Sequence, residues 1–546
     1  MLNKRAFFSS AFFTVFGLAL FLLGCANRQL PQGGPRDRDP PKLMKATPPN
    51  ETRYFKDKVI QLDFDEYIKL VNQYAEVVMS PAPAKSPEYK VKRKSLVITL
   101  KDSLEKNTTY VINFGKGIQD VNESNILKNF TYVFSTGPHI DSLSITGHVT
   151  NIITQQKEKD ATVMLFSLKQ DSLLFGKKKP TIFTTTDSSG NFSLNNLHPG
   201  IYRIYALKEK TPNKIFDNDE ELIAFKKTPI NLTTDTENVE LRLFKQNPDK
   251  FRLTDKRFDG DGKMFFTFNK SLDSPALHVN YPPDFDKYKI VDFSKTRDTA
   301  ILYMTNMAFD SLSVSFLDNN KPIDTVYLKK GKKEAFQRTL TFQYNTSSDK
   351  LKPGTDFYIR ANYPIADFDA SLVSLKEDST DVSNFTLQKD SADTRRIKVI
   401  YRWRQSPTYT LTIDENAFTD VYNDKNKGAR KIFSIDKPEN YSQLNLTVTI
   451  PDSGKSYIVR LLNEHEYLVR SDIIHKNTTL VYKNYLAGKY RLSVVYDDNG
   501  NGKWDSGNVK HKLQPENIWV DQEIITVRPN WEQTTPISIP REPVIP

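Results

Sequence analysis

Short runs in which apolar residues take every second position limit this chain more than any other feature. Ile60, Leu62 and Phe64 alternate with Gln61, Asp63 and Asp65, and the same period returns at Leu96, Ile98 and Leu100 and at Tyr110, Ile112 and Phe114. A period of two puts successive side chains on opposite faces, so each run reads as a half-buried strand rather than a helix. The stretches 264–268, 312–316, 397–403 and 409–413 carry the pattern along the chain. Prolines outnumber glycines, 30 to 21, and the 34 Phe and 25 Tyr suit pleated surfaces. A chain of 546 residues exceeds what one hydrophobic core organises, so the expected fold is all-β, a tandem of β-sandwiches.

Cys25 is the only cysteine. It follows Leu22, Leu23 and Gly24 at the end of an apolar stretch, residues 6–23, that begins just after Lys4 and Arg5. A basic start, an apolar middle and a small-residue end are the marks of an export signal, and Leu-Leu-Gly-Cys reads as a lipobox. Residues 1–24 are then a signal peptide, and Cys25 becomes the acylated first residue of the mature chain. A membrane-spanning helix with an incidental cysteine is the other reading of this stretch. Acylation would leave no thiol for a disulfide, a nucleophile or a metal site. Residues 25–50, with Pro40, Pro41, Pro48 and Pro49, read as a lipidated, proline-rich tether unable to form a helix or a central strand. Ala26 supplies no aspartate of the kind that retains lipoproteins at the inner membrane. The sequence Asn27-Arg28-Gln29 lacks the acidic run of surface-exported lipoproteins, so the periplasmic face of the outer membrane is favoured over the cell surface. The net charge of +11 does not imply nucleic acid in an exported protein. It fits anionic lipid, phosphorylated glycolipid or an acidic protein.

The first folded segment, residues 51–138, carries Phe64-Asp65-Glu66-Tyr67, Ser80-Pro81, Asn107 to Gly115, Ile118-Gln119-Asp120 and Phe134-Ser135-Thr136-Gly137. In that order these motifs resemble the SbsA-type bacterial Ig-like domain at the start of a group of Bacteroidota lipoproteins. The resemblance implies an Ig-like sandwich on an envelope lipoprotein and carries over no catalytic residues. Residues 141–245, with Ile145-Thr146-Gly147-His148-Val149, a turn at Asp187 to Gly190 and a strand starting at Pro199-Gly200, resemble the carboxypeptidase-regulatory-like, transthyretin-like sandwich. That name refers to an accessory fold and implies no peptidase activity. Residues 440–546 repeat the design: Asn196, Gly200, Tyr202, Arg203, Asn213 and Asp217 recur 288 positions later as Asn484, Gly488, Tyr490, Arg491, Asn501 and Asp505. Between the copies we expect a β-sandwich over 250–335 and a second Ig-like sandwich over 336–437, divided near Lys330.

Chemistry-bearing patterns are few. Asp497, Asn499, Asn501 and Asp505, with Gly502, match positions 1, 3, 5, 9 and 6 of an EF-hand-like calcium loop, but position 12 is Asn508 rather than Glu. The loop reads either as a weak calcium site, the one cofactor expected, or as an Asn/Gly-rich turn capping its own backbone. The seven histidines are scattered, with no HExxH, and no GxSxG elbow or P-loop occurs. Alternation places His465 on the opposite face of a strand from Glu464 and Glu466. Lysine clusters at 90–94, 177–179 and 329–333 read as edge-strand charges or as a grip on phosphorylated glycolipid. Trp403, Trp504, Trp519 and Trp531 are candidates for an aromatic carbohydrate platform. Asp-(Ser/Thr)-apolar triplets resemble the Bacteroidota O-glycosylation acceptor, which would put Ser103, Ser142, Ser172 and Ser311 on the surface; Asp-Ser is also a common start to a turn. The expected function is a non-enzymatic scaffold or accessory subunit, anchored in outer-membrane lipid through Cys25 and partnered with an outer-membrane or envelope protein, with no nucleic acid. A carbohydrate- or glycolipid-binding module is the alternative.

Overall fold

The computed structural model describes residues 36–330 and 336–542. Cys25, the leader, part of the tether and the end of the 329–333 lysine cluster lie outside the described residues. The chain divides into two compact units, residues 1–141 and 142–546. Both are built from strands, and among the described residues no helix is long and apolar enough to cross a membrane.

In the first unit a four-stranded antiparallel sheet runs in the order Leu43–Thr47, Val59–Phe64, Ser95–Thr99, Glu88–Lys92. A three-stranded sheet, Thr131–Ser135, Thr109–Asn113, Val78–Ser80, supplies the opposing layer. The alternating residues do what the pattern predicts: Ile60, Leu62, Leu96, Ile98, Ile112 and Phe114 are fully buried in one cluster. Burying each such side chain contributes roughly 1.5–3 kcal/mol. Leu43–Thr47 lies inside the stretch expected to be tether, yet it pairs with Val59–Phe64. Its prolines flank the run instead of interrupting it, and an edge strand needs partners on one side only. The Tyr132 hydroxyl donates to the Pro48 carbonyl at 2.8 Å and ties that end down.

The second unit contains the duplicated fold, and the two copies share several bonds at matching positions. The Tyr202 hydroxyl donates to the His198 carbonyl at 2.8 Å, and the Tyr490 hydroxyl donates to the Leu486 carbonyl at 2.8 Å. Gly200 pairs with Leu232 and Gly488 with Val527. Each copy contains one parallel strand pair, Leu143–Asn151 with Thr236–Lys245 and Tyr441–Thr449 with Glu532–Ser538. Asn196 and Asn484 both take a left-handed backbone with φ 57°. The offset of 288 stops at Asp505: Phe225 pairs with Tyr205 as Val520 pairs with Ser493, so beyond the loop the offset is 295. The last copy therefore carries an insert, within residues 506–515.

The region 340–435 follows the Ig-like plan of the first unit. Ile68 pairs with Asp120, and Ile365 pairs with Asp420. The Tyr110 hydroxyl accepts the Glu105 amide at 2.8 Å, and the Tyr409 hydroxyl accepts the Arg404 amide at 2.7 Å. Between it and the earlier copy, residues 253–329 form two antiparallel sheets around Met264, Phe266, Leu302, Leu312 and Phe316.

Candidate functional site

The sharpest sequence pattern folds into an acidic loop after the strand Gly488–Asp497. Alternation turns Asp497 inward, where it is 2% exposed. One carboxylate oxygen accepts the Asn501 amide at 3.0 Å; the other accepts the Gly502 amide at 3.0 Å and Ser456 Oγ at 2.7 Å. Burial pushes this carboxyl up, but the donors outweigh it and hold the group below the usual aspartate range. Gly502 sits at φ 74°, the left-handed region that favours glycine. Asp505 accepts Asn501 Nδ2 at 2.8 Å and also Asn499 Nδ2. The side-chain oxygens of Asn499 and Asn501 accept the backbone amides of Asn501 and Lys503.

A third carboxylate enters that sequence reasoning missed. Glu516 is 8% exposed and accepts the Asp498 amide at 2.9 Å and the Asp505 amide at 3.0 Å. Burial raises its carboxyl, and the nearby Asp505 and Asp497 raise it further. Its counterpart in the first copy is Glu221, which accepts the Asp217 amide at 3.1 Å. The rest of that loop matches too: Glu209 accepts the amides of Asn213 and Lys214, and Asn213 Nδ2 donates to Asp217 at 3.0 Å. The signal for Glu516 was the glutamate four positions after Asp217, legible only once the insert is recognised. Apart from the Ser456 contact these bonds join residues of the loop to one another and to the glutamate that follows it, and among the described residues no group of three or more His, Cys, Asp or Glu side chains is disposed to hold a metal ion.

The insert locks the last copy onto the first. Lys512 Nζ donates to the Tyr205 hydroxyl, lies 3.4 Å from Asp171 and sits 4.9 Å above the Tyr205 ring. Burial lowers its ammonium pKa, with Asp171 opposing. Gln514 Nε2 donates to the Phe225 carbonyl at 2.7 Å, and the Val509 amide donates to Gln246 at 2.8 Å. Gly507 is pressed so close to Phe244 that a Cβ would lie 2.7 Å from its ring.

Other sequence candidates are dispersed. Ser103, Ser142 and Ser172 are exposed, whereas Ser311 is half-buried on the strand Ser311–Asp318. Asp171 and Ser172 lie in the helix Leu168–Leu174 rather than at the start of a turn. His465 corrects the alternation argument: with Glu464 and Glu466 it forms an exposed hairpin loop, not a strand, because Asn463 closes the turn by accepting the His465 and Tyr467 amides. Lys90 and Lys92 lie on an edge strand and Lys329 ends another, but Lys177 to Lys179 follow the helix. Trp403, Trp504 and Trp519 pack against apolar clusters, while Trp531 is 56% exposed with the Arg528 guanidinium 5.2 Å from its ring.

No curated protein matches the chain. Among solved structures, the Bacillus cereus major pilin subunit BcpA is 10% identical, with a TM-score of 0.14 over 73% of this chain and 99% of the pilin. The surface layer protein SbsC is 12% identical, with a TM-score of 0.15 over 85% of this chain and 66% of that one. The titin I9–I11 tandem is 8% identical, with a TM-score of 0.12 over 53% of this chain and 100% of that one. At such scores the likeness carries no argument beyond these figures. The family match is confined to the first unit: residues 37–136 are a bacterial Ig-like domain.

Proposed function

We propose that the protein is a non-enzymatic scaffold of a bacterial envelope, held in outer-membrane lipid through Cys25 and facing the periplasm, where it docks an outer-membrane or envelope protein. The observation that carries this reading is the insert. It fastens the last sandwich to the second through Lys512, Gln514 and Val509, so that the residues beyond 141 make one body with fixed surfaces, which suits holding a partner. Polar side chains in the acidic loops are engaged by neighbouring backbone amides and side chains, which supports contact rather than chemistry. Acyl anchoring would confine this body to two dimensions and raise its effective concentration toward a membrane partner. Ser103, Ser142, Ser172 and Ser311 would carry glycans on this reading.

Metabolic labelling with a palmitate analogue tests the anchor. The parent chain is expected to label, and Cys25→Ser to lose the label and remain unprocessed; an unlabelled parent removes the anchor. Affinity purification from detergent-solubilised membranes tests the scaffold, with a reproducible membrane protein expected and its absence counting against the reading. Protease shaving of intact cells distinguishes the two faces, and rapid digestion would place the protein outside.

For the Asp497, Asn499, Asn501 and Asp505 loop, with Glu516 as a further carboxylate, we propose weak calcium binding. Coordination would replace existing bonds from Asn499 and Asn501, which keeps affinity near the ~1 mM of extracellular calcium modules. A rise of a few degrees in melting temperature at millimolar calcium, absent in Asp505→Asn, is expected; no shift in the parent ends the idea.

A further inference from the structure

Among the described residues, the strand Leu468–Ile474 is the terminal strand of its sheet, hydrogen-bonded on one side to Ser456–Asn463 and to no strand on the other. Two other edges are blunted by lysine: Lys90 and Lys92 on one, Lys321 and Lys329 on another. This one has neither lysine nor proline. It exposes Leu468 by 57%, Val469 by 43% and Ile473 by 51%. An open apolar edge is a template for another strand.

Its sequence says which strand. Arg470-Ser471-Asp472 is self-complementary about Ser471. When two copies run antiparallel with Ser471 opposite Ser471, Arg470 of each faces Asp472 of the other; within each copy these two already form a bidentate ion pair at 2.9 and 3.0 Å, so the contact would close a ring of four alternating charges. Opposite charges directly across an antiparallel ladder favour pairing by roughly 0.2–1 kcal/mol per pair. The backbone agrees. The hairpin closes with the Asn463 amide donating to the Tyr467 carbonyl. Counting alternate pairs along the ladder past its one irregularity, where Leu462 meets Leu468 and Leu461 meets Arg470, Arg470 and Asp472 turn their peptide groups toward the neighbouring strand. Ser471 and Ile473 turn theirs outward. The irregularity leaves Val469 unpaired and limits the regular edge to residues 470–474.

We propose that this edge pairs with the same edge of a second copy, forming a two-fold dimer through one short continuous ladder centred on Ser471. A symmetric contact of this kind is the simplest closed assembly. A joint one strand long is weak in solution, and confinement of both copies to a membrane would strengthen it. The inference stands on this strand alone and does not depend on the scaffold reading.

The test uses the full chain with Cys25→Ser, so that S471C provides the only thiol. Directly opposed hydrogen-bonded residues have Cα atoms about 5.5 Å apart, within the ~4.4–6.8 Å that a disulfide spans. Under mild oxidation S471C is expected to form a covalent dimer much faster than S103C, whose exposed site lies in the first unit. In sedimentation velocity over a dilution series without oxidant, the parent is expected to dimerise reversibly. S471K, which sets two ammonium groups face to face, is expected to weaken the dimer at least about tenfold with its melting curve unchanged at high dilution. A parent that stays monomeric, S471C cross-linking no faster than S103C, or S471K dimerising like the parent would each overturn the proposal.

Discussion

Gly147→Ala is expected to destabilise the second sandwich by about 3 kcal/mol or more, the largest loss from any single methyl group added to the molecule. Gly147 lies in the middle of the strand Leu143–Asn151, paired with Phe192 on one side and with Val239 in the parallel ladder on the other. A Cβ built on it would stand 1.9 Å from the Val239 carbonyl oxygen and 2.7 Å from its carbon. Those are backbone atoms of a buried strand, so no rotamer change relieves the overlap, and the two strands would have to separate. Overpacking of this kind costs ~1–3 kcal/mol even where side chains can give way. Urea denaturation of the full chain checks it, with Gly260→Ala as the control. A Cβ at Gly260 meets nothing within 4 Å, so that variant should stay within about 0.5 kcal/mol of the parent.

Asp497→Ala should cost about 2–4 kcal/mol, because it strands the Ser456 hydroxyl in a buried position and takes the acceptor from the half-buried Gly502 amide, while the Asn501 amide keeps Asn499. The same carboxyl gives a pH signature. Its folded pKa lies below the ordinary aspartate value, so its stabilisation is fully present above the unfolded value and is lost as pH falls through the folded value. The parent should therefore lose stability below about pH 4 more steeply than Asp497→Ala. Melting curves of both proteins between pH 3 and pH 7 compare the slopes, and parallel curves would remove the carboxylate from this role.

The strands of both Ig-like regions were legible because their solvent faces are polar, which leaves the period of two uninterrupted at Ile60 to Phe64 and Tyr409 to Ile413. The duplication was legible because glycine, tyrosine and asparagine are fixed by backbone demands: Tyr202 and Tyr490 each reach back to a carbonyl four residues earlier, and Asn196 and Asn484 each hold a left-handed turn. The insert was not. Its residues have no period, and they are satisfied by groups such as Tyr205 and Phe225, roughly 290–310 positions away, which no local pattern encodes. Glu516 was missed for the same reason, since a carboxylate that completes a loop from beyond an insert leaves no spacing to read. The edge strand at Leu43–Thr47 hid behind flanking prolines, and the hairpin at His465 behind an apolar run that continues past it.

Ribosomes make proteins from one end, and that direction matters for the clasp formed by Lys512 and Gln514. The second sandwich is synthesised first, yet part of its apolar exterior, including Phe225, Phe244 and Tyr205, is covered by residues that emerge much later. While the 289 to 307 positions that separate them are being made, the greasy surface must be shielded by a chaperone or risk sticking to a neighbour. A protease nick or premature stop shortly before residue 506 would leave a chain whose earlier modules are intact in sequence but permanently uncovered.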